Sequence, residues 1–349
     1  MSDLRYTAIA ALLKLLRLTG ATRALAPAFR GRGVILTMHH VRPASDFSFA
    51  PNRILEITPE FLEETVQLLA DQGYEIAALD EVPARLRSDG PPFAVLTFDD
   101  GYRDNGHFAW PVLHRHKAPF TIFVTPGFAD ATAPLWWLDL EEAIACQDHV
   151  SAPLSTGRLE LPAATAEEKT RAFETIYWAL RPGPEGEMRA VIARMAEEAG
   201  IDPLQRTRDL CMRWNEIRTM ASDPLCTIGA HTMTHPMLAK HAEAIARVEM
   251  AESKAIIEEQ LGREVRHLAF PVGDPGSAGA REFALARACG FETAVTTRPG
   301  VLFADHLAHL TALPRISVNG LFQRRGDVAA LISGVPTALQ NRGRRLNIA

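Results

Sequence analysis

Cysteine is scarce in this sequence, and the few cysteines are far apart. The 349 residues contain only Cys146, Cys211, Cys226 and Cys289, and no two of them form a CxxC pair. This spacing excludes a disulfide framework and a zinc ribbon, and it favours reduced thiols in a cytoplasmic protein. A chain of this length can bury a large core without cross-links.

The sequence also lacks a long uncharged apolar run. Its most apolar stretch near the N-terminus, residues 6–18, is interrupted by Lys14 and Arg17 and is too short to span a bilayer. We predict an amphipathic helix within residues 1–30 that packs on the main domain; a helix lying on a membrane surface is the alternative that the pattern leaves open. The expected location is therefore the cytoplasm, either free or peripheral at the inner membrane through this helix.

Positive charge is not in excess either. The formal net charge is -5, which argues against a nucleic-acid partner. Basic residues do cluster near the C-terminus, at Arg342, Arg344 and Arg345. We interpret residues 323–349 as a C-terminal helix followed by a solvated basic tail.

What the sequence does contain is a repeated alternation of strand-like and helical patterns. Such alternation predicts an α/β fold with a mostly parallel sheet and helices outside it. The first helix after a predicted strand has a clear start, with Thr58 as N-cap and Pro59 at the first helical position. The predicted strands are 34–38, 94–98, 120–125, 225–229, 266–270, 293–297 and 313–318, and the predicted helices between them include 59–72, 107–117, 242–261 and 279–288.

The alternation stops between about residues 130 and 215. Helical patterns at 138–146, 166–180 and 187–199 are separated there by turn-rich stretches. We predict one domain over residues 31–322, with residues 130–215 as a largely helical insertion between two strands.

Two acidic residues follow the second predicted strand, in the run Thr97-Phe98-Asp99-Asp100-Gly101. Neighbouring carboxylates at the end of a buried strand repel each other unless a cation or a proton is shared. Their side chains leave an extended chain in different directions, so we expect the two residues to have different roles. A solvated Asp-Asp-Gly turn is the simpler interpretation of this motif taken alone.

A second motif, His231-Thr232-Met233-Thr234-His235, follows another predicted strand. Histidines four apart share one face if the segment forms a helical turn, and neutral imidazoles are common zinc ligands. One Asp and two His make a three-ligand site with open positions, which is typical of a catalytic metal centre. The other Asp could act as a base toward the attacking water. A non-haem iron oxygenase also uses two His and one carboxylate, but it does not require the second Asp.

Together these motifs resemble the polysaccharide deacetylase (NodB-homology) family, which includes chitooligosaccharide deacetylases. The resemblance extends over roughly residues 34–318 and includes the softer segments Leu135-Trp136-Trp137, Phe270-Pro271-Val272-Gly273 and Leu313-Pro314-Arg315-Ile316. It implies a distorted (β/α) barrel and a hydrolase that removes N-acetyl groups from an amino-sugar-containing oligo- or polysaccharide.

The resemblance also implies residue roles. Asp99 would be the general base, and Asp100, His231 and His235 would bind a divalent metal, usually Zn²⁺, although other divalent ions are used. The sequence departs from the family in two places. Phe270 stands where the family commonly has an arginine before its proline, and Arg315 is the best substitute. Ile316-Ser317-Val318 lacks the family's last-strand histidine, which acts as the general acid; His39 is the replacement candidate.

Four residues are candidates for substrate binding. Trp136 and Trp137 could line a sugar cleft, although either could belong to the core. Pro271 and Gly273 lie in a predicted turn whose backbone could stabilise an oxyanion. The expected partner is an N-acetylated carbohydrate.

Three alternatives stay open: a deformylase or amidase acting on a lipid-linked sugar or a small amide, an iron oxygenase, and an inactive carbohydrate-binding relative.

Overall fold

The computed structural model describes residues 2–154 and 157–348. Residues 1, 155, 156 and 349, which fall within the predicted terminal segments and insertion, lie outside the described residues. The strands are β1 (Gly33–Met38), β2 (His40–Val41), β3 (Glu56–Ile57), β4 (Glu75–Ile76), β5 (Phe93–Phe98), β6 (Phe120–Val124), β7 (His149–Leu154), β8 (Gly157–Pro162), β9 (Cys226–Ala230), β10 (His267–Ala269), β11 (Thr293–Pro299) and β12 (Leu313–Ser317).

Fifteen α-helices lie in the described ranges. They are α1 (Ser2–Leu18), α2 (Ala21–Phe29), α3 (Pro59–Asp71), α4 (Val82–Arg87), α5 (Trp110–Arg115), α6 (Pro126–Ala129), α7 (Trp136–Ala145), α8 (Ala166–Leu180), α9 (Glu185–Glu198), α10 (Gln205–Leu210), α11 (Trp214–Ala221), α12 (Glu243–Leu261), α13 (Ala280–Ala288), α14 (Arg325–Ile332) and α15 (Val335–Gln340). Short 3₁₀ or π turns cover Pro51–Leu55, Leu79–Glu81, Asn105–Ala109, Leu238–Lys240 and Ala304–Ala312.

Seven parallel strands close into a barrel. The order around it is β1, β5, β6, β9, β10, β11, β12 and back to β1, with the short β4 added beside β5. Closure depends on β1, which pairs with β5 along its whole length and with β12 through Leu36 and Ile316. The predicted (β/α) barrel is confirmed, and all seven strand-like runs of the sequence are its strands.

Alternation along the strands separates two parts of the core. One set of side chains, including Ile35, Val95 and Phe123, fills the barrel interior. Their sequence neighbours face outward and pack under the helices. The interior is tight, because a Cβ on Gly229 would lie 2.5 Å from the Phe123 ring. Glycine at that position therefore lets a phenylalanine fit across the barrel.

The start of α3 is as the sequence indicates. Thr58 caps the helix, since its Oγ1 accepts a hydrogen bond from the Phe61 amide at 3.1 Å. Pro59 occupies the first helical position, where its missing N–H costs nothing. The helix then buries Phe61, Leu62 and four further residues against the outside of the barrel.

The segment between β6 and β9 is less helical than predicted. It contains the helices α6 to α11, but β7 and β8 form an antiparallel hairpin between α7 and α8. The hairpin buries only Val150 and Ala152 among its described side chains, so its apolar signal is weak. A separate apolar cluster, built around Trp136, Trp137 and Ile176, holds these elements together.

The terminal segments pack on each other. Helix α1 contacts α14, and α2 contacts α15. Arg17 of α1 forms an ion pair with Asp327 of α14 at 3.0 Å. None of the helices in the described ranges combines the length and the apolar content that a membrane crossing requires.

Candidate active site

The candidate site lies where the strands of the barrel end. In a parallel barrel all carboxyl ends face the same way, so residues that follow different strands can meet there. Alternation continues past the last strand residue: Phe98 faces outward and Asp99 inward, while Ala230 faces outward and His231 inward. The same rule turns Arg315 of β12 into the barrel interior.

Asp99 is held by Arg315. The guanidinium donates two parallel hydrogen bonds to the carboxylate, from Nη1 to Oδ1 at 2.7 Å and from Nη2 to Oδ2 at 2.6 Å. Arg315 is itself fixed, because its Nε donates to the Thr296 carbonyl and its Nη1 also donates to Thr97 Oγ1. Burial pushes the pKa of Asp99 upward, but the charge and hydrogen bonds of Arg315, together with the nearby His231 and His39, more than offset it and hold the pKa below its ordinary value. The pair is therefore ionised and rigid.

Asp100 points to different partners. Its Oδ1 lies 3.4 Å from His231 Nε2 and 3.3 Å from His235 Nε2. The turn away from Asp99 is made by the backbone, since Asp100 has a φ of 69°, in the left-handed region. Two consecutive carboxylates thus separate into an arginine-bound one and a histidine-bound one.

The two histidines are brought together by a loop and not by a helical turn. Residues 231–237 have no helical hydrogen bonding, and Thr232 and His235 have φ values of 64° and 59°. Thr232 stabilises the loop by accepting the His235 amide at Oγ1, at 3.2 Å. The imidazole centroids of His231 and His235 are 4.9 Å apart. The helical interpretation of the HxxxH spacing is therefore wrong, although the proximity it predicted is present.

The donor set suits a divalent metal. One ligand atom each from Asp100, His231 and His235 lies within 4.8 Å of the others, and this is the only such group found among the described residues. His231 Nδ1 lies 2.7 Å from the Ala269 carbonyl, which fixes the proton on Nδ1 and leaves Nε2 free to bind. Asp100 Oδ1 is buried with no hydrogen-bond partner in the described ranges. A buried unpartnered carboxylate oxygen facing two imidazole nitrogens is what a metal would satisfy.

His39 lies beside the base candidate. Its Nε2 is 4.0 Å from Asp99 Oδ2, and its side chain is 21% exposed, so the ring is reachable from the cleft. Asn105 holds the His39 backbone by donating to its carbonyl at 2.7 Å. Burial lowers the pKa of His39, while the charges of Asp99 and Asp100 act in the opposite direction.

The tandem tryptophans separate into two environments. Trp137 lies against a metal-ligand candidate, with its ring centroid 4.9 Å from that of His235. Trp136 turns away and stacks on Tyr177 of α8 at 6.2 Å. Trp137 therefore forms part of the wall of the site, whereas Trp136 belongs to the core of the insertion.

The turn after β10 is strained and already hydrogen-bonded. Val272 and Gly273 have φ values of 59° and 65°. The Gly273 amide donates to the Pro271 carbonyl at 2.6 Å, so this N–H already has an acceptor. A Cβ on Gly273 would lie 2.8 Å from the Thr297 nitrogen. Glycine is needed at this position because β11 approaches the turn so closely. Phe270, which stands where the family commonly has an arginine, packs on Phe283 in the outer core.

Two residues of the insertion fix the His235 loop, and sequence reasoning missed both. Arg189 of α9 donates to the His235 carbonyl at 2.7 Å. Glu185, one turn earlier, accepts the Met237 amide at 2.6 Å and pairs with Arg189 at 2.8 Å. The only signal in the sequence is an ordinary i,i+4 Glu–Arg pair, which surface helices also show.

Comparison with known proteins gives one family match. The model of the polysaccharide deacetylase family matches residues 87–294. A stretch of 80 residues is 32% identical to YxkH of Bacillus subtilis (strain 168), a protein named as a candidate polysaccharide deacetylase. That match covers 22% of this chain and 29% of YxkH, so it spans less than a third of the relative.

Solved structures share the fold at low sequence identity. The Streptococcus pyogenes deacetylase PplD, solved with acetate, is 18% identical with a TM-score of 0.56, over 86% of this chain and 97% of PplD. IcaB from Ammonifex degensii is 19% identical with a TM-score of 0.55, over 87% of this chain and 97% of IcaB. At these identities the likeness supports the fold alone.

Proposed function

Since this chain belongs to the polysaccharide deacetylase family, we propose that it is a metal-dependent hydrolase that removes N-acetyl groups from an amino-sugar-containing oligo- or polysaccharide. The observation that carries the proposal is the division of labour between Asp99 and Asp100. One carboxylate faces two imidazoles, and the other is held ready by an arginine. An oxygenase needs only the first of these arrangements.

Asp100, His231 and His235 would hold the ion, with Zn²⁺ as the first candidate. A divalent cation bound there supplies positive charge that polarises the amide carbonyl and lowers the pKa of the attacking water. Three protein ligands leave room for both water and substrate.

Asp99 takes the proton that the water loses as it attacks the carbonyl carbon. Arg315 keeps this carboxylate in one orientation through its two hydrogen bonds. When the C–N bond breaks, the departing nitrogen needs one proton. His39 delivers it, because its ring is partly exposed and its Nε2 lies 4.0 Å from Asp99 Oδ2, so the proton that Asp99 takes from the water can pass through His39 to the departing nitrogen. The products are acetate and a free amino sugar.

The test is release of acetate and of free amine from N-acetylglucosamine oligomers by purified protein. We expect activity after loading with Zn²⁺, loss with a chelator, and loss in Asp99→Asn. Asp148→Asn, which changes an exposed aspartate outside the site, is the matched control and should keep full activity. Formate release from N-formyl substrates, tested in parallel, distinguishes the deformylase alternative. Absence of acetate release from every N-acetylated oligomer by the Zn²⁺-loaded protein would refute the proposal.

A further inference from the structure

Helix α2 is apolar and contacts α1 and α15, but none of its residues is fully buried. Seven of its nine residues are alanine, leucine, proline or phenylalanine, and in the described structure none of them is buried. Leu25 is 44% exposed. A helix of this composition on a soluble protein normally buries its apolar side, so a surface is available here that the barrel does not use.

Helix α1 has two separate leucine faces. Leu13 and Leu16 are buried on the side that packs toward α14. Leu12, Leu15 and Leu18 follow a spacing of three and are 37%, 59% and 73% exposed. Because the inner face and the Arg17–Asp327 ion pair anchor the helix, the outer leucines form a second and unused face.

Basic residues surround this apolar surface. Residues 9–30 contain no acidic residue but contain Lys14, Arg23 and Arg30, besides Arg17, whose charge is paired with Asp327. Residues 335–348 contain Arg342, Arg344 and Arg345, again without an acidic residue. The two segments join, because α2 contacts α15 and both line one cavity of about 220 Å³. This concentration of positive charge occurs in a chain whose net charge is -5.

We infer that this docking face, formed by the outer side of α1, by α2, by α15 and by residues 341–348, binds the surface of an anionic phospholipid bilayer. Exposed leucines enter the region between headgroups and acyl chains, while the arginines meet the lipid phosphates. The shared cavity, lined by Phe29, Arg344 and Arg345 among others, offers guanidinium donors for one headgroup phosphate.

A bilayer fits this face better than a second copy of the chain does. A twofold dimer would place the same patch on both partners and bring two sets of arginines together. Those arginines would repel each other, whereas an anionic bilayer neutralises them. The helices lie on the bilayer in this arrangement, since no helix of the described ranges can cross it.

Sedimentation of the full chain with phospholipid vesicles tests the inference. We expect binding to phosphatidylcholine vesicles that contain phosphatidylglycerol, weak binding to phosphatidylcholine alone, and weakening as salt is raised. Leu15→Gln with Leu18→Gln should lower the affinity about tenfold or more, because two exposed apolar contacts are lost. Arg342→Gln with Arg344→Gln should lower it about fivefold per arginine.

The matched control is Ile245→Gln with Val248→Gln on α12, where the side chains are 50% and 48% exposed but lie outside the docking face. It should bind vesicles as the unchanged protein does. Equal loss in the control, or no sedimentation with anionic vesicles, would overturn the inference. A dimer that dissociates in the leucine variant, without vesicle binding, would assign the face to a second copy. The assay needs no turnover, so it is independent of the proposed deacetylation.

Discussion

Asp99 and Asp100 can be distinguished by metal content. Asp100→Asn, His231→Ala and His235→Ala each remove one of three donors, so we expect the purified variants to lose metal. Asp99→Asn should keep the metal nearly stoichiometric while activity falls roughly 10²–10⁴-fold, the range for loss of a general base. Elemental analysis beside the deacetylation rate checks both statements. Metal loss in Asp99→Asn with retention in Asp100→Asn would reverse the assignment.

The Asp99–Arg315 pair makes a second prediction, about stability. Both side chains are buried, so Arg315→Met leaves a carboxylate without its countercharge, and we expect a loss of about 3–5 kcal/mol in the free energy of unfolding. Urea denaturation measures it. The double variant Asp99→Asn with Arg315→Met also removes the unpaired buried carboxylate, and it should recover a large part of the lost free energy of unfolding. No recovery would mean that the bonds of Arg315 to Thr97 and Thr296 account for the effect instead.

The residue types of the site are readable from the sequence, but their geometry is not. The Asp-Asp-Gly and HxxxH motifs indicate the ligands because both follow strands of one parallel sheet. Arg315 could be ranked above other arginines by alternation, since it is two residues after the inward Leu313. The left-handed backbone of Thr232 and His235 has no such signal, because only the surrounding loop contacts favour it.

At the scale of elements, helix α9 reaches from the insertion to the loop that carries His235. Arg189→Met removes the donor to the His235 carbonyl, and the loop should then hold the imidazole less firmly. We expect metal affinity to fall about tenfold or more, in the range known for groups that orient ligands. Competition with a zinc-binding dye measures it.

Arg194→Met, an exposed position on the same helix, is the control for general effects on α9 and should keep the affinity. An equal loss in both variants would point to destabilisation of the helix and not to orientation of His235.

The sequence predicts an element correctly where the buried residues of that element form a regular apolar pattern. The seven barrel strands are buried on both faces, so they appear in the sequence as short apolar runs. The β7–β8 hairpin carries no such run: it includes Pro153 and alternates polar side chains with a few apolar ones. Its structure depends on packing against α8 and α9, which no local pattern records.

At the scale of the whole molecule, we expect metal binding to raise the melting temperature. The donors follow β5 and β9, two strands separated by β6 in the barrel, so an ion would cross-link distant parts of the native chain. An ion at about 100 times its dissociation constant stabilises the native state by about 2.7 kcal/mol. We expect a rise of several degrees in Tm when Zn²⁺ is added to chelator-treated protein. Asp100→Asn should show no rise, and a rise of equal size there would contradict this site.

The Asp99–Arg315 contact also determines when, during synthesis of the chain, the barrel and its site can form. Its two residues are 216 positions apart, and Arg315 belongs to β12, the last of the seven barrel strands in chain order within the described residues. During translation, β5 and Asp99 leave the ribosome long before β12 exists to close the barrel against β1. Long-range closure of this kind is slow and exposes apolar strand faces in the meantime. The barrel can therefore close, and Asp99 can gain its arginine partner, only after residue 315 has been synthesised, so any shorter nascent chain exposes an open barrel edge and an unneutralised Asp99.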